Sequence, residues 1–292
     1  MIVVLRTSLL FMVLILSTLS VGAQSDKSDL ICAILNPDIA TPKTVQNAFT
    51  PLFGRLTRGT DRQIKVIIYD DLEQTAADLH ARKIDFGYTG IIDYFRLEAK
   101  APIKPSLTLM RNSQTSYEAC LVIRKSKGKI SLADLQGKRL GYISFHKFYG
   151  GLFPQILLKQ HKLEYKLDRF FSYTAGYYSD ISAVQDLVIG KIDVCIVSRN
   201  TLGIFEATAP WIIKKVEVLD CQGGLMFAPI FQHSDLDEEL NRTLQSETLK
   251  FFTTPQGEQF MMMFKVDGVK LVTSSDYEAD RKRARALGYI QP

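Results

Sequence analysis

Five loop clusters in this 292-residue sequence carry side chains suited to recognising a small charged molecule. Tyr88-Thr89-Gly90 follows the apolar run at 84–87 and offers a ring wall beside two hydroxyls. Ser144-Phe145-His146-Lys147-Phe148-Tyr149 precedes an apolar helical stretch. There Lys147 could set a full charge against an oxyanion, Ser144 a hydroxyl, and His146 a charge that depends on pH. The competing reading is a solvated loop tip. Tyr149, Tyr177 and Tyr178 add aromatic surface, which suits a ligand with an organic part or a cation in an aromatic cage. Ordinary packing of these rings is the alternative. Asp180 would repel a plain oxyanion and favour a ligand that carries an amine; it could instead be a helix N-cap. Arg199, in Ser198-Arg199-Asn200, can clamp a carboxylate or phosphate through two parallel N–H bonds, or stand in solvent. Asn36, in Asn36-Pro37-Asp38, completes the set.

The sequence holds no G-x-S-x-G, no H-E-x-x-H and no G-x-x-x-x-G-K-[ST]. Its four histidines are scattered, and Cys32, Cys120, Cys195 and Cys221 form no C-x-x-C, so zinc-site spacing is absent. The reading is therefore a binding protein and not an enzyme, with no cofactor and no resident metal. Cys195–Cys221 is the disulfide to test first. Cys120, in a long strand, could offer a thiolate to a soft ligand such as trivalent arsenic, although a buried free thiol in a strand is the commoner case.

The elements that must position these loops begin after an export signal. Arg6 precedes a short apolar core, and Val21-Gly22-Ala23 reads as a cleavage site, so residues 1–23 are expected to be removed, leaving Gln24 first in a periplasmic protein. The formal net charge of +5 is a mild excess that suits an anionic ligand and is too scattered for nucleic acid. Leu30–Leu35, Ile64–Tyr69 and Ile84–Tyr88 read as strands, with helices at 42–56 and 72–81 between them. Such alternation predicts a parallel sheet with crossover helices.

After a long strand at 117–124 the pattern restarts. Arg139–Ile143 is a strand, 149–160 a helix, 170–173 short strand material, 180–189 a helix and 192–197 a buried strand. Lys83-Ile84-Asp85-Phe86-Gly87 is echoed by Lys191-Ile192-Asp193-Val194-Cys195, a repeat that predicts two similar lobes. A strand at 224–230 and helices at 235–250, 255–264 and 275–287 should return to the first lobe. The expected architecture is α/β, with two mostly parallel mixed sheets: lobe 1 from 24–120 plus 226–292, lobe 2 from 121–225, and hinge strands between them. In open α/β sheets ligands bind beyond the carboxyl ends of the strands, where all five loop clusters fall. Helix N-termini there favour anions.

The chain resembles the periplasmic solute-binding proteins of phosphonate, phosphite and phosphate-ester ABC transporters, a branch of the type II periplasmic binding proteins. The likeness rests on Asp85-Phe86-Gly87-Tyr88-Thr89-Gly90, the strand 117–125, the segment 130–141, the phrase 183–193 and Phe252-Thr253-Thr254-Pro255-Gln256-Gly257. It implies a small anionic or zwitterionic ligand clamped between the lobes and handed to a transporter permease. A ligand-sensing partner of a membrane sensor kinase, or an exported enzyme or structural protein on the same fold, are the alternatives. The chain departs from the family at 144–151, where a Ser-Thr-Ser-Gly run is usual, and at Ser179-Asp180-Ile181, where Ser-His-Asp/Glu is usual.

Overall fold

The computed structural model describes residues 28–35, 42–143, 152–164, 166–177, 179–264 and 266–291. The expected leader and six of the candidate site residues, Asn36, Ser144, His146, Lys147, Tyr149 and Tyr178, lie outside that set. Among the described residues no helix is long and apolar enough to cross a membrane.

The chain opens with β1 (Leu30–Leu35), α1 (Pro42–Thr60), β2 (Ile64–Tyr69), α2 (Leu72–His80) and β3 (Phe86–Tyr88), followed by α3 (Ile91–Glu98) and β4 (Ile103–Met110). β1 is apolar throughout and buried on both faces, as a central parallel strand must be. β2 exposes alternate residues, as an edge strand does. A second unit holds β5 (Ser116–Arg124), β6 (Arg139–Ile143), α4 (Phe153–Gln160), α5 (Leu167–Phe170), β7 (Tyr173–Tyr177), α6 (Asp180–Val188), β8 (Val194–Ser198), α7 (Arg199–Thr208), α8 (Pro210–Ile213) and β9 (Val216–Met226). The chain then returns with β10 (Pro229–His233), α9 (Glu238–Phe251), α10 (Pro255–Phe264), β11 (Gly268–Leu271) and α11 (Glu278–Ala286).

The first sheet has the order β11-β4-β10-β3-β1-β2 and the second β7-β6-β8-β5-β9. Each carries three parallel strands, β2-β1-β3 in one and β7-β6-β8 in the other, followed by an antiparallel neighbour, β10 or β5. The sequence echo has an atomic counterpart here. Asp85 donates its N–H to Ile31 O at 3.0 Å and accepts the Ile31 N–H on Oδ2 at 2.7 Å. Asp193 donates its N–H to Arg139 O at 2.9 Å and accepts the Arg139 N–H on Oδ2 at 3.1 Å. In each lobe the same aspartate staples the third parallel strand to the first. At Gly87 the strands approach so closely that a Cβ would lie 2.3 Å from Ala33 O, which is why the position is glycine.

The core lies in three layers. One packs α1, α9 and α10 on a face of the first sheet, one covers the far face of the second sheet under α6 and α7, and the largest runs between the two units from Tyr94 and Tyr277 to Leu121 and Phe153.

Two short crossings join the sheets. In the first, Arg111 and Gln114 exchange backbone hydrogen bonds at 2.9 and 3.0 Å around Asn112 and Ser113, whose φ values are 50° and 58°. Those are the dihedrals of a type I′ turn, which asparagine tolerates better than most residues. The second crossing is only Phe227-Ala228. Tyr277 Oη donates to Phe227 O at 3.1 Å, and Thr108 Oγ1 lies 3.2 Å from the same oxygen. Asp280 Oδ2 accepts the Met226 N–H at 2.8 Å.

Several expectations are corrected. Cys120, not Cys195, is joined to Cys221. β5 lies between β8 and β9, so Cys195 sits two strands from Cys221, about 9.5 Å, beyond disulfide reach. Cys120 lies directly opposite Cys221 in the β5–β9 register. Its sulfur is thus committed, which removes the soft-ligand thiolate at that residue. Residues 170–173 do not form a strand: α5 ends at Phe170 and β7 starts at Tyr173. The strand expected at 224–230 is two strands in different sheets, broken at Phe227-Ala228. Asp180 is the first helical residue of α6, and Ser179 is its N-cap, accepting the Ile181 N–H at 3.2 Å.

Candidate functional site

The carboxyl ends of β1 and β3 in the first sheet, and of β6 and β8 in the second, point toward the crossings. Of the ten candidate residues the structure describes four: Tyr88, Thr89, Asp180 and Arg199.

Tyr88 and Thr89 end β3 and lead through the N-cap Gly90 into α3. Gly90 has extended backbone and no side chain, so the first turn of α3 has no side-chain cap. A helix start of this kind presents N–H groups and partial positive charge. Thr89 is fully buried, and its Oγ1 has no hydrogen-bond partner among the described residues. An unpaired buried hydroxyl is costly unless something fills the space beside it. Tyr88 is crowded by protein yet leaves 37% of its surface open, the state of a residue on a cleft wall. That crowding pushes its phenol pKa up, and the Arg111 guanidinium pulls the other way. Arg111 stands at the start of the first crossing. It stacks over Phe227 with its Cζ 5.6 Å from the ring centroid, and its Nη2 donates to Phe264 O at 3.3 Å. Tyr88, Thr89, the start of α3 and Arg111 thus gather a phenol, a hydroxyl, backbone N–H groups and a fixed positive charge on one edge of the first lobe.

In the second lobe the N-terminus of α7 takes the corresponding place. Ser198, its N-cap, accepts the Thr201 N–H at 3.3 Å. Asp180 Oδ2 accepts from Ser198 N at 3.0 Å, Ser198 Oγ at 2.8 Å and Thr201 Oγ1 at 2.9 Å. The carboxylate ties α6 to the start of α7 and holds negative charge where that helix is partly positive. Arg199 points back across β5: its Nε lies 3.3 Å from Glu118 Oε2, and its Nη2 3.0 Å from Cys221 Sγ. Asp180 and Arg199 are therefore engaged with their own lobe. The structure brings Tyr88 and Thr89 together, and places Asp180 and Arg199 as neighbours on the other lobe.

Arg111 and Glu118 escaped the sequence reading. Arg111 follows β4 and precedes a turn, the pattern of any surface loop, and its place beside Tyr88 depends on β10 lying between β3 and β4. Glu118 was hidden inside a strand. Among the described residues, Glu118, Cys120 and Cys221 are the one close group of metal-ligating types, and the disulfide occupies two of its three members.

A family model described as "ABC transporter, phosphonate, periplasmic substrate-binding protein" matches residues 38–277. The fold is also that of solved proteins of low identity. XAC2383 from Xanthomonas citri, in a structure bound to chloride ion, superposes with a TM-score of 0.65 at 15% identity, covering 89% of this chain and 97% of that one. PhnD1 from Prochlorococcus marinus, in complex with methylphosphonate, gives 0.63 at 15%, covering 89% and 98%. A binding-protein component of an ABC phosphonate transporter from Pseudomonas aeruginosa, PA3383, gives 0.60 at 13%, covering 89% and 87%. The α/β architecture of two mixed sheets is thus that of the type II periplasmic binding proteins.

Proposed function

This chain belongs to the periplasmic substrate-binding proteins of phosphonate ABC transporters, and from that premise we propose that it clamps one small anionic or zwitterionic molecule between its lobes and delivers it to a permease. The reading is supported most by Thr89, whose buried hydroxyl lacks a partner among the described residues and stands beside Tyr88 and the uncapped start of α3. An oxyanion or phosphonate oxygen is the species that such a set of donors satisfies. Arg111 supplies the compensating charge. Lys147 and His146 are proposed to close on the ligand from the second lobe, with Asn36, Ser144, Tyr149 and Tyr178 around it. Asp180 already stands as an anion at the start of α7, so the second lobe does not duplicate the first. That asymmetry favours a ligand with an anionic end toward Tyr88 and a neutral or cationic end toward α7. Closure turns on the crossings at 111–115 and 227–228, and the ligand stabilises the closed form by touching both lobes.

The test is a thermal-shift and calorimetric screen of the protein from Gln24. The panel holds methylphosphonate, aminoalkyl phosphonates, phosphate esters, phosphate, phosphite and sulfate. A ligand at one hundred times its dissociation constant adds about 2.7 kcal/mol of stability. One responsive class supports the reading. The Tyr88→Ala/Lys147→Ala variant should then lose most of that affinity. No response from any member refutes the anion reading, and an unchanged affinity in the variant refutes the placement.

A further inference from the structure

The first lobe contains a cavity of about 70 Å³ between α1, α9 and the face of the first sheet that they cover, and Tyr88 is among the residues that line it. Ile34, Leu52, Phe86, Leu107 and Leu244 supply apolar wall, and Gln232 on β10 supplies a polar one. Gln232 is 3% exposed, and its Oε1 has no hydrogen-bond partner among the described residues. Nearby polar side chains use donors elsewhere: Gln245 Nε2 donates to Ser106 Oγ at 3.0 Å, and Thr248 Oγ1 to Leu244 O at 2.7 Å.

A buried amide oxygen without a donor is unfavourable, and folding does not place one at an apolar cavity without cause. A single water would not fill the space, although Ser106, Asn241, Gln245 and Thr248 are polar side chains of the same wall. The volume is several times the ~10–15 Å³ that one water requires, which leaves room for about five non-hydrogen atoms. We infer that this cavity is a second binding site, for a small and largely apolar molecule that donates one hydrogen bond to Gln232 Oε1, as a short-chain alcohol does. The apolar walls hold the hydrocarbon part and the amide oxygen orients the hydroxyl. Tyr88 lines this cavity as well as the proposed anion site, but the cavity lies on the face of the first sheet that α1 and α9 cover and carries no charged side chain.

The experiment is a titration of methyl-labelled protein, followed by NMR, with 1-butanol and with methyl n-propyl ether. The two probes are isomers with the same non-hydrogen atoms, but only the alcohol donates. Methyl signals of Leu52, Leu107 and Leu244 should shift saturably with 1-butanol, and the ether should bind at least about fivefold more weakly, the value of one net hydrogen bond. Gln232→Leu should abolish that preference, and Leu244→Phe, which fills the space, should abolish binding of both probes. Absence of saturable shifts in the wild-type protein would overturn the site. Equal affinity for the two probes, or a preference that survives Gln232→Leu, would overturn the role of the amide. Unchanged binding by Leu244→Phe would place the alcohol elsewhere and overturn the inference.

Discussion

Reducing the Cys120–Cys221 disulfide should loosen the second lobe far more than the first. The two cysteines are 101 residues apart, and the loop they close contains almost the whole of that lobe, from β5 through α8 and most of β9. Constraining a loop of that length lowers the entropy of the unfolded chain by an amount equivalent to about 4.7 kcal/mol at 25 °C, and natural disulfides typically contribute ~2–4 kcal/mol. Reduction leaves both sulfurs in place, so it removes the constraint without opening a cavity. The double variant Cys120→Ala/Cys221→Ala adds the loss of a buried sulfur, about 1 kcal/mol more. The sequence contains a single tryptophan, Trp211, on α8 in the second lobe. Its fluorescence therefore reports that lobe in a urea titration, while far-ultraviolet circular dichroism reports both. The expected result is a tryptophan transition weakened by about 2–4 kcal/mol in reductant, with the transition of the first lobe moving much less. A shift below about 0.5 kcal/mol would refute the loop-constraint argument. An equal shift in both signals would refute the separation of the lobes.

Two further predictions follow from buried or clamped groups. Asp193 is held well below the usual carboxylate range, chiefly by the Arg139 guanidinium, with help from the Arg139 N–H and Arg124 against a burial penalty. A depressed folded-state value means that its stabilisation is present above the unfolded pKa near 4 and is lost as pH falls below it. Asp193→Asn should thus cost about 1 kcal/mol at pH 7 after solvent screening. The gap to wild type should narrow progressively as pH falls below about 4, and chemical unfolding across the acid range checks it. Burial pushes the thiol of Cys32 up to about 12 and raises that of Cys195 as well. Both should resist iodoacetamide at pH 8 in the native protein and react only in denaturant, which intact-mass spectrometry reads directly.

Much of the scaffold was legible in the sequence because its signals are local. β1 is a continuous apolar run and β8 is one up to Ser198, and the Lys-Ile-Asp echo marks the same staple in each lobe through Asp85 and Asp193. β4 was not legible. Pro105 sits inside it, and proline ordinarily argues against an interior strand. The structure accommodates it at a register shift, where Phe231 lies opposite Pro105 and the ladder is already irregular. α3 was missed because it is only eight residues long, too short for its apolar spacing to stand out. The disulfide was misassigned because it depends on strand order: only the position of β5 between β8 and β9 puts Cys120, and not Cys195, opposite Cys221. Tyr88 and Thr89, proposed for the site, could be picked from the sequence because they stand at the end of a strand. Arg111 could not, because its neighbour in space is created by the return of β10. The N-cap of α6 is Ser179 and not Asp180, whose carboxylate accepts from Ser198 and Thr201 at the start of the next helix.

The place of β10 in the first sheet sets an order of assembly. Residues 116–226 form an unbroken stretch that holds every strand of the second sheet. A growing chain can finish that lobe before β10 exists. The first sheet cannot close, because β10 is the strand between β3 and β4 and comes from the last third of the chain. Until it arrives, β3 and β4 each keep a raw edge of unpaired N–H and C=O groups. Until β10 is in place the molecule has one completed half and one half with an open slot, the kind of surface that holding chaperones cover. Truncation between Met226 and Pro229 would make this half-built state permanent.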